Sequence, residues 1–236
     1  MKSATRHALK QDALAKAAAD SAGWLSGHRT GVIRWGISLG VVVLLVAGAL
    51  VFWYTQTSAA DAMLGAAVDT YDAPLTQPGE PPMEGMYATA ADRAKKAHQQ
   101  FQAIVDKYGY LPEGAKAKYF VAVTDEELGQ TAAAEAGLKS VADSSDNDLA
   151  NLARVALANI YHQTKRDSDA VTLLNQVIAK PSSTVPLAVA QLDLADIYDA
   201  EGRKDEAKAL WTKVKDADKD GVAGAAAAKK LGPAAK

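Results

Sequence analysis

Four histidines, His7, His28, His98 and His162, are the side chains best suited to acid–base or metal chemistry, and none has a second histidine at ligand spacing. A zinc pair of the HExxH type is therefore excluded. His98 reads as an exposed histidine on a polar helix face. The chain has no cysteine, so no disulfide, thiolate ligand, thiol nucleophile or acylated lipoprotein anchor can form. No P-loop, dinucleotide loop or GxSxG elbow occurs. One segment has metal-ligand spacing: Asp216-Ala217-Asp218-Lys219-Asp220-Gly221 follows the first half of an EF-hand loop. Its twelfth position is Ala227, where the bidentate glutamate should stand. The segment is better read as a turn in which acidic residues cap the next helix and Gly221 permits the bend. These residues predict a protein that is not an enzyme and needs no cofactor, metal or small-molecule substrate.

The chemistry that remains is recognition, and it rests on a repeat. Residues 151–181 and 187–216 are two copies of one unit. Tyr161 and Tyr198 are 37 residues apart, as are Ala158 and Ala195, Ala170 and Ala207, Leu174 and Trp211, and Val177 and Val214. Each copy predicts two helices joined by a polar turn, Thr164–Asp167 and Glu201–Asp205. A weaker copy at 114–144 carries Asp125 in place of the tyrosine. Residues 88–109 predict the second helix of a first unit, whose partner is Thr57–Tyr71. Pro74, Pro78, Pro81 and Pro82 make 73–86 a loop, and Gly221–Leu231 predicts a capping helix. Small residues at Ala158, Ala170, Ala195 and Ala207 let paired helices approach, and Tyr161, Leu174, Tyr198 and Trp211 fill the spaces between units.

If the tyrosine marks the same place in each unit, one set of side chains faces a concave groove. It contains Leu152, Val155, Asn159, His162 and Gln163 in one copy, and Val189, Leu192, Asp196 and Asp199 in the next. The weaker copy adds Tyr119, Val123, Glu126 and Glu127. Such a groove is polar and acidic with apolar contacts, and suits an extended basic or amphipathic peptide.

The elements that position this groove start at a membrane. Trp35–Tyr54 is an uncharged run long enough to span about 30 Å. Aromatic residues stand at both of its ends, as in an interfacial belt. Residues 1–34 carry a net charge of +4 and the remainder −6. The positive-inside rule then places a basic N-terminal tail, 1–34, in the cytoplasm. The predicted order is tail, transmembrane helix 35–54, juxtamembrane helix and loop 55–86, and repeat domain 87–232. A signal peptide cleaved near Ser58-Ala59-Ala60 is disfavoured by the length of tail and span. Gly36 and Gly40 form a small-xxx-small pair that can pack against another membrane helix. Residues 7–22 predict a short polar helix. The acidic bulk of the chain argues against nucleic acid. The fold class expected is all-α: one N-terminal transmembrane helix, then a helical-repeat solenoid.

The unit resembles a tetratricopeptide repeat, with small residues at its eighth and twentieth positions, Tyr at its eleventh and a large apolar residue at its twenty-fourth. Its period is longer than the usual 34 residues, which predicts longer helices. The full layout resembles the YfgM-like family of ancillary subunits of the SecYEG translocon. The stretches at 101–123 and 146–177 carry that resemblance, which runs over about residues 30–220. The Pro-rich insertion and the longer tail depart from it. The resemblance implies a domain in the periplasm, anchored in the bacterial inner membrane. Its implied partners are the translocon channel, a membrane-anchored periplasmic chaperone and unfolded secretory clients. The competing expectation is a structural scaffold for cell-envelope assembly with one dedicated protein partner.

Overall fold

The computed structural model describes residues 29–77 and 85–232, and the readings made for residues 7–22 and for Pro78, Pro81 and Pro82 lie outside them. Among the described residues the chain has nine α-helices and no strand beyond an isolated bridge between Leu75 and Tyr87. It divides into two compact units, one ending at Gln56 and one starting at Thr57. Helix α1, Arg29–Tyr71, runs through that division without a break. In the first unit it exposes Trp35, Leu39, Leu44, Leu45, Val51 and Tyr54. Leaving so much apolar surface in water has a large cost, and a lipid surround removes it. Among the described residues α1 is the one helix long and apolar enough to cross a membrane. Gly36 and Gly40 have nothing within 4 Å of the place a side chain would occupy.

The second unit is built from helix pairs. The end of α1 pairs with α2 (Ala90–Tyr108), α3 (Pro112–Glu127) with α4 (Thr131–Ala142), α5 (Asn147–Gln163) with α6 (Asp167–Ala179), and α7 (Leu187–Ala200) with α8 (Lys204–Ala217). Helix α9, Val222–Leu231, closes the series. Ala60, Leu64 and Ala67 of α1 bury against Phe101, Ile104 and Tyr108 of α2, so the helix that leaves the apolar run also supplies the first wall of the repeat. The alanines predicted to sit between paired helices, Ala158, Ala170, Ala195 and Ala207, are completely buried. Trp211, Val214, Ala223 and Ala227 form the last core under α9, as a solenoid end requires.

The turn inside each of the last three pairs is the same. Gly129, Lys165 and Gly202 all have positive φ, of 75°, 63° and 81°. The following residue reaches back to the carbonyl five residues earlier: Gln130 N to Asp125 O (2.8 Å), Arg166 N to Tyr161 O (2.7 Å) and Arg203 N to Tyr198 O (2.8 Å). These bonds satisfy carbonyls that a helix end leaves without partners. Part of the length beyond a usual unit lies in the connection Lys180–Pro186 rather than in helices. Asp148, at the start of α5, holds that connection by accepting from Ser183 Oγ (2.9 Å) and Thr184 N (3.1 Å).

Candidate functional site

Helices α3, α5 and α7 are the first members of successive pairs and carry the predicted groove residues. Their register brings some of them together. Glu126 of α3 shares a depression of about 210 Å³ with Asn159 and Gln163 of α5. Val123, Leu138, Ala156 and Ile160 form its apolar wall, and Glu127 also lines it. The two carboxylates differ in their partners. Glu127 accepts from the Tyr71 hydroxyl (2.6 Å) and lies 3.9 Å from Arg93 Nη2. Burial, and then Glu127 itself, hold the Tyr71 hydroxyl well above its ordinary pKa. Glu126 has a buried Oε2 with no hydrogen-bond partner.

Other predicted residues are committed to the fold. The His162 ring does not project freely into the groove. Its Nδ1 meets Asp167 Oδ1 at 2.5 Å, because Asp167 opens α6 directly across the turn. Asp199 is held in the same way by Lys204 Nζ (2.7 Å). Asp196 accepts from Trp211 Nε1 (3.2 Å) and Lys230 Nζ (2.8 Å), and so ties α7 to α8 and to the closing helix. Leu192 packs on the last core. Leu152 and Val155 pack against Val177, Val185 and Ala190, while Val189 and Leu187 remain exposed. Tyr119 is half-buried, edge-on to Phe120, and burial raises its hydroxyl pKa.

His98 corrects its surface reading. It lies between α2 and α3, with Nδ1 3.1 Å from Thr124 Oγ1 and 3.3 Å from Asp125 Oδ1. Asp125 is 7% exposed. Its carboxyl is raised by burial and lowered in part by His98. The residue that breaks the tyrosine pattern is therefore matched by a polar partner from the preceding helix. The acidic segment 216–221 forms the turn into α9, where Asp218 Oδ2 accepts from Gly224 N (3.0 Å). Among the described residues no three His, Asp or Glu side chains gather to hold a metal ion.

Sequence reasoning missed a stacking pair. The Arg166 guanidinium lies 3.7 Å from the centre of the Tyr161 ring, and Arg203 lies 3.7 Å from that of Tyr198. Such stacking of a cation on an aromatic face is favourable. Arg166 also donates twice to Glu135 of the preceding pair, at 2.9 and 3.0 Å. This bidentate contact stitches α4 to the turn before α6. The signal was present, since Arg166 and Arg203 are themselves 37 residues apart. A second depression, of about 400 Å³, is lined by Ser144, Asn147, Arg154, Gln176 and Lys180. Its arginine is engaged by Ala142 O (2.7 Å) and Asn151 Oδ1 (3.0 Å).

Residues 33–231 match the family model of the tetratricopeptide repeat-like domain. No curated protein matches the chain. Among solved structures, the chain is similar to the nearly identical tetratricopeptide-like repeats of a kinesin light chain protein from Podosopora anserina. That likeness has a TM-score of 0.50 and 20% identity, over 59% of this chain and 76% of the other. At this identity it is a likeness of fold.

Proposed function

We propose, on the premise that this chain belongs to the tetratricopeptide repeat-like family, that it is a membrane-anchored docking protein without catalytic activity. Repeats of this kind generally mediate protein–protein interaction, because stacked units present an extended concave surface. The observation that carries the reading is the depression between α3 and α5, where Glu126, Asn159 and Gln163 meet over an apolar wall. It combines hydrogen-bonding groups for a backbone with apolar surface for side chains. The apolar part of α1 supports an inner-membrane anchor, with the basic tail in the cytoplasm and the repeats in the periplasm. The likeness in layout to translocon ancillary subunits supports the finer reading. In that reading the domain holds emerging secretory segments, or recruits a periplasmic chaperone, beside the channel.

The test is photocrosslinking of the full-length protein in native membranes from Asn159, which is exposed at the depression. His162 is the poorer site because Asp167 holds it. The expected captures are channel subunits, a periplasmic chaperone and segments of many secreted proteins. Capture of one envelope-assembly protein alone would support the scaffold reading instead. Capture only from the exposed Lys208 on α8 would mean that the opposite face binds.

A further inference from the structure

The three copies of the turn supply their own control experiment. The residue after the repeat tyrosine is His162 in one copy and Asp199 in the next. Each pairs with the residue five places later, His162 with Asp167 at 2.5 Å and Asp199 with Lys204 at 2.7 Å. In the α3–α4 copy the corresponding residues are Glu126 and Thr131. Thr131 carries no charge and makes no hydrogen bond to Glu126, so the pairing that engages this place elsewhere is absent. Glu126 lines the depression between α3 and α5, and its Oε2 is buried without a hydrogen-bond partner. A buried, unmatched acceptor is costly, and for a carboxylate the cost is greatest.

The lining says what would relieve it. Val123, Leu138, Ala156 and Ile160 offer an apolar sleeve, and no lysine or arginine lines the pocket. Asn159 and Gln163 also line the depression. At about 210 Å³ the space lies below the roughly 300–1,000 Å³ of small-molecule sites, and matches one long side chain. A lysine or arginine fits this profile, with its methylenes along the sleeve and its charged end on Glu126.

We propose that the α3–α5 depression is a specificity pocket for a single basic side chain of an extended segment of a partner protein, with Glu126 as its counter-charge. The inference rests on the docking role proposed above and adds what that surface selects.

The test uses the detergent-solubilised full-length protein and fluorescein-labelled nonapeptides of Ala, Ser and Val with a central lysine, or with uncharged norleucine there. Anisotropy should show the lysine peptide binding about tenfold or more tightly than its norleucine twin, the scale of a hydrogen bond to a charged group. Glu126→Gln keeps the shape and should erase that difference without weakening norleucine binding. Thr131→Lys supplies in cis the ammonium that Lys204 supplies to Asp199. It should raise the thermal midpoint while abolishing the preference for lysine. Equal binding of both peptides, unchanged by Glu126→Gln, would overturn the pocket and leave the docking role standing. Binding of neither peptide would overturn both. A concentration-dependent dimer abolished by Glu126→Gln would place a second copy's basic side chain in the pocket and overturn the assignment to a partner protein.

Discussion

A carboxyl group buried beside another carboxyl holds its proton more tightly than one in water. Asp193 of α7 is in that position: burial first, and then the charge of Asp196, push its pKa up to about 6 from 3.8. The folded pKa lies above the unfolded one. The favourable contribution is therefore complete below pH 3.8 and is lost as pH rises through about 6. At pH 7.5 the native state carries a poorly solvated charge. Asp193→Asn should stabilise the protein there by roughly 1–2 kcal/mol, less than the full shift because the group keeps some contact with water. The gain should vanish below about pH 4, where both states of the wild type hold the proton. Thermal melts of the two proteins across that range check this, and a gain that persists at pH 3.5 would refute it. The same scale shows why the groove was only partly legible. Asn159, Gln163 and Glu126 come together at one depression because helical register alone decides which face they share. His162 and Asp196 take directions that helical register does not give, set by Asp167, Trp211 and Lys230, which belong to other helices. Asp193 gave no signal, since its burial follows from packing rather than from its neighbours in sequence.

Helix ends are where local chemistry acts most directly on the fold, and the three equivalent turns rank themselves. Gly129 and Gly202 take positive φ without steric cost, whereas Lys165 takes it with a β-carbon in place. The left-handed conformation costs a non-glycine residue about 1–2 kcal/mol. Glycine forfeits part of that advantage through its freer unfolded chain. Lys165→Gly should therefore stabilise the protein by roughly 0.5–1 kcal/mol. Lys165 is exposed and its side chain has no partner among the described residues, so the substitution removes no contact. Chemical denaturation of the variant measures the gain, and a loss would show that the side chain contributes something the backbone does not reveal. Element order was the most legible level of this molecule. The 37-residue spacing of Tyr161 and Tyr198, with alanines at matching places, fixed both helices of two units and the polar turns between them. The weaker copy was legible through Ala122, Ala134 and Leu138, all of which are buried. Its Asp125 was unexplained until His98 of the neighbouring helix was seen beside it. The repeating arginine went unread because attention to small and apolar spacings passes over charged residues, although Arg166 and Arg203 stack on the tyrosines that define the repeat.

At the scale of the whole molecule, the proposed role depends on which side of a membrane the acidic repeat domain occupies. A groove facing the cytoplasm could not meet exported segments. The chain settles this cleanly by experiment because it contains no cysteine of its own. A single cysteine can be placed at Ser140, which is exposed on α4, and another, in a separate variant, at Ser3 in the basic tail. Neither replacement changes a charge, so the N-terminal excess of Lys and Arg is unaltered. In cells with a permeabilised outer membrane, a membrane-impermeant maleimide should label Ser140→Cys fully and leave Ser3→Cys unlabelled. Detergent should then expose Ser3→Cys to the same reagent. The opposite pattern would put the repeats in the cytoplasm and remove the translocon reading, while the basic-side-chain pocket would still await a cytoplasmic partner. Labelling of both sites without detergent, together with recovery of the protein in the soluble fraction, would mean that the apolar stretch of α1 is not an anchor. Its exposed Trp35, Leu44 and Val51 would then require a protein surface to cover them.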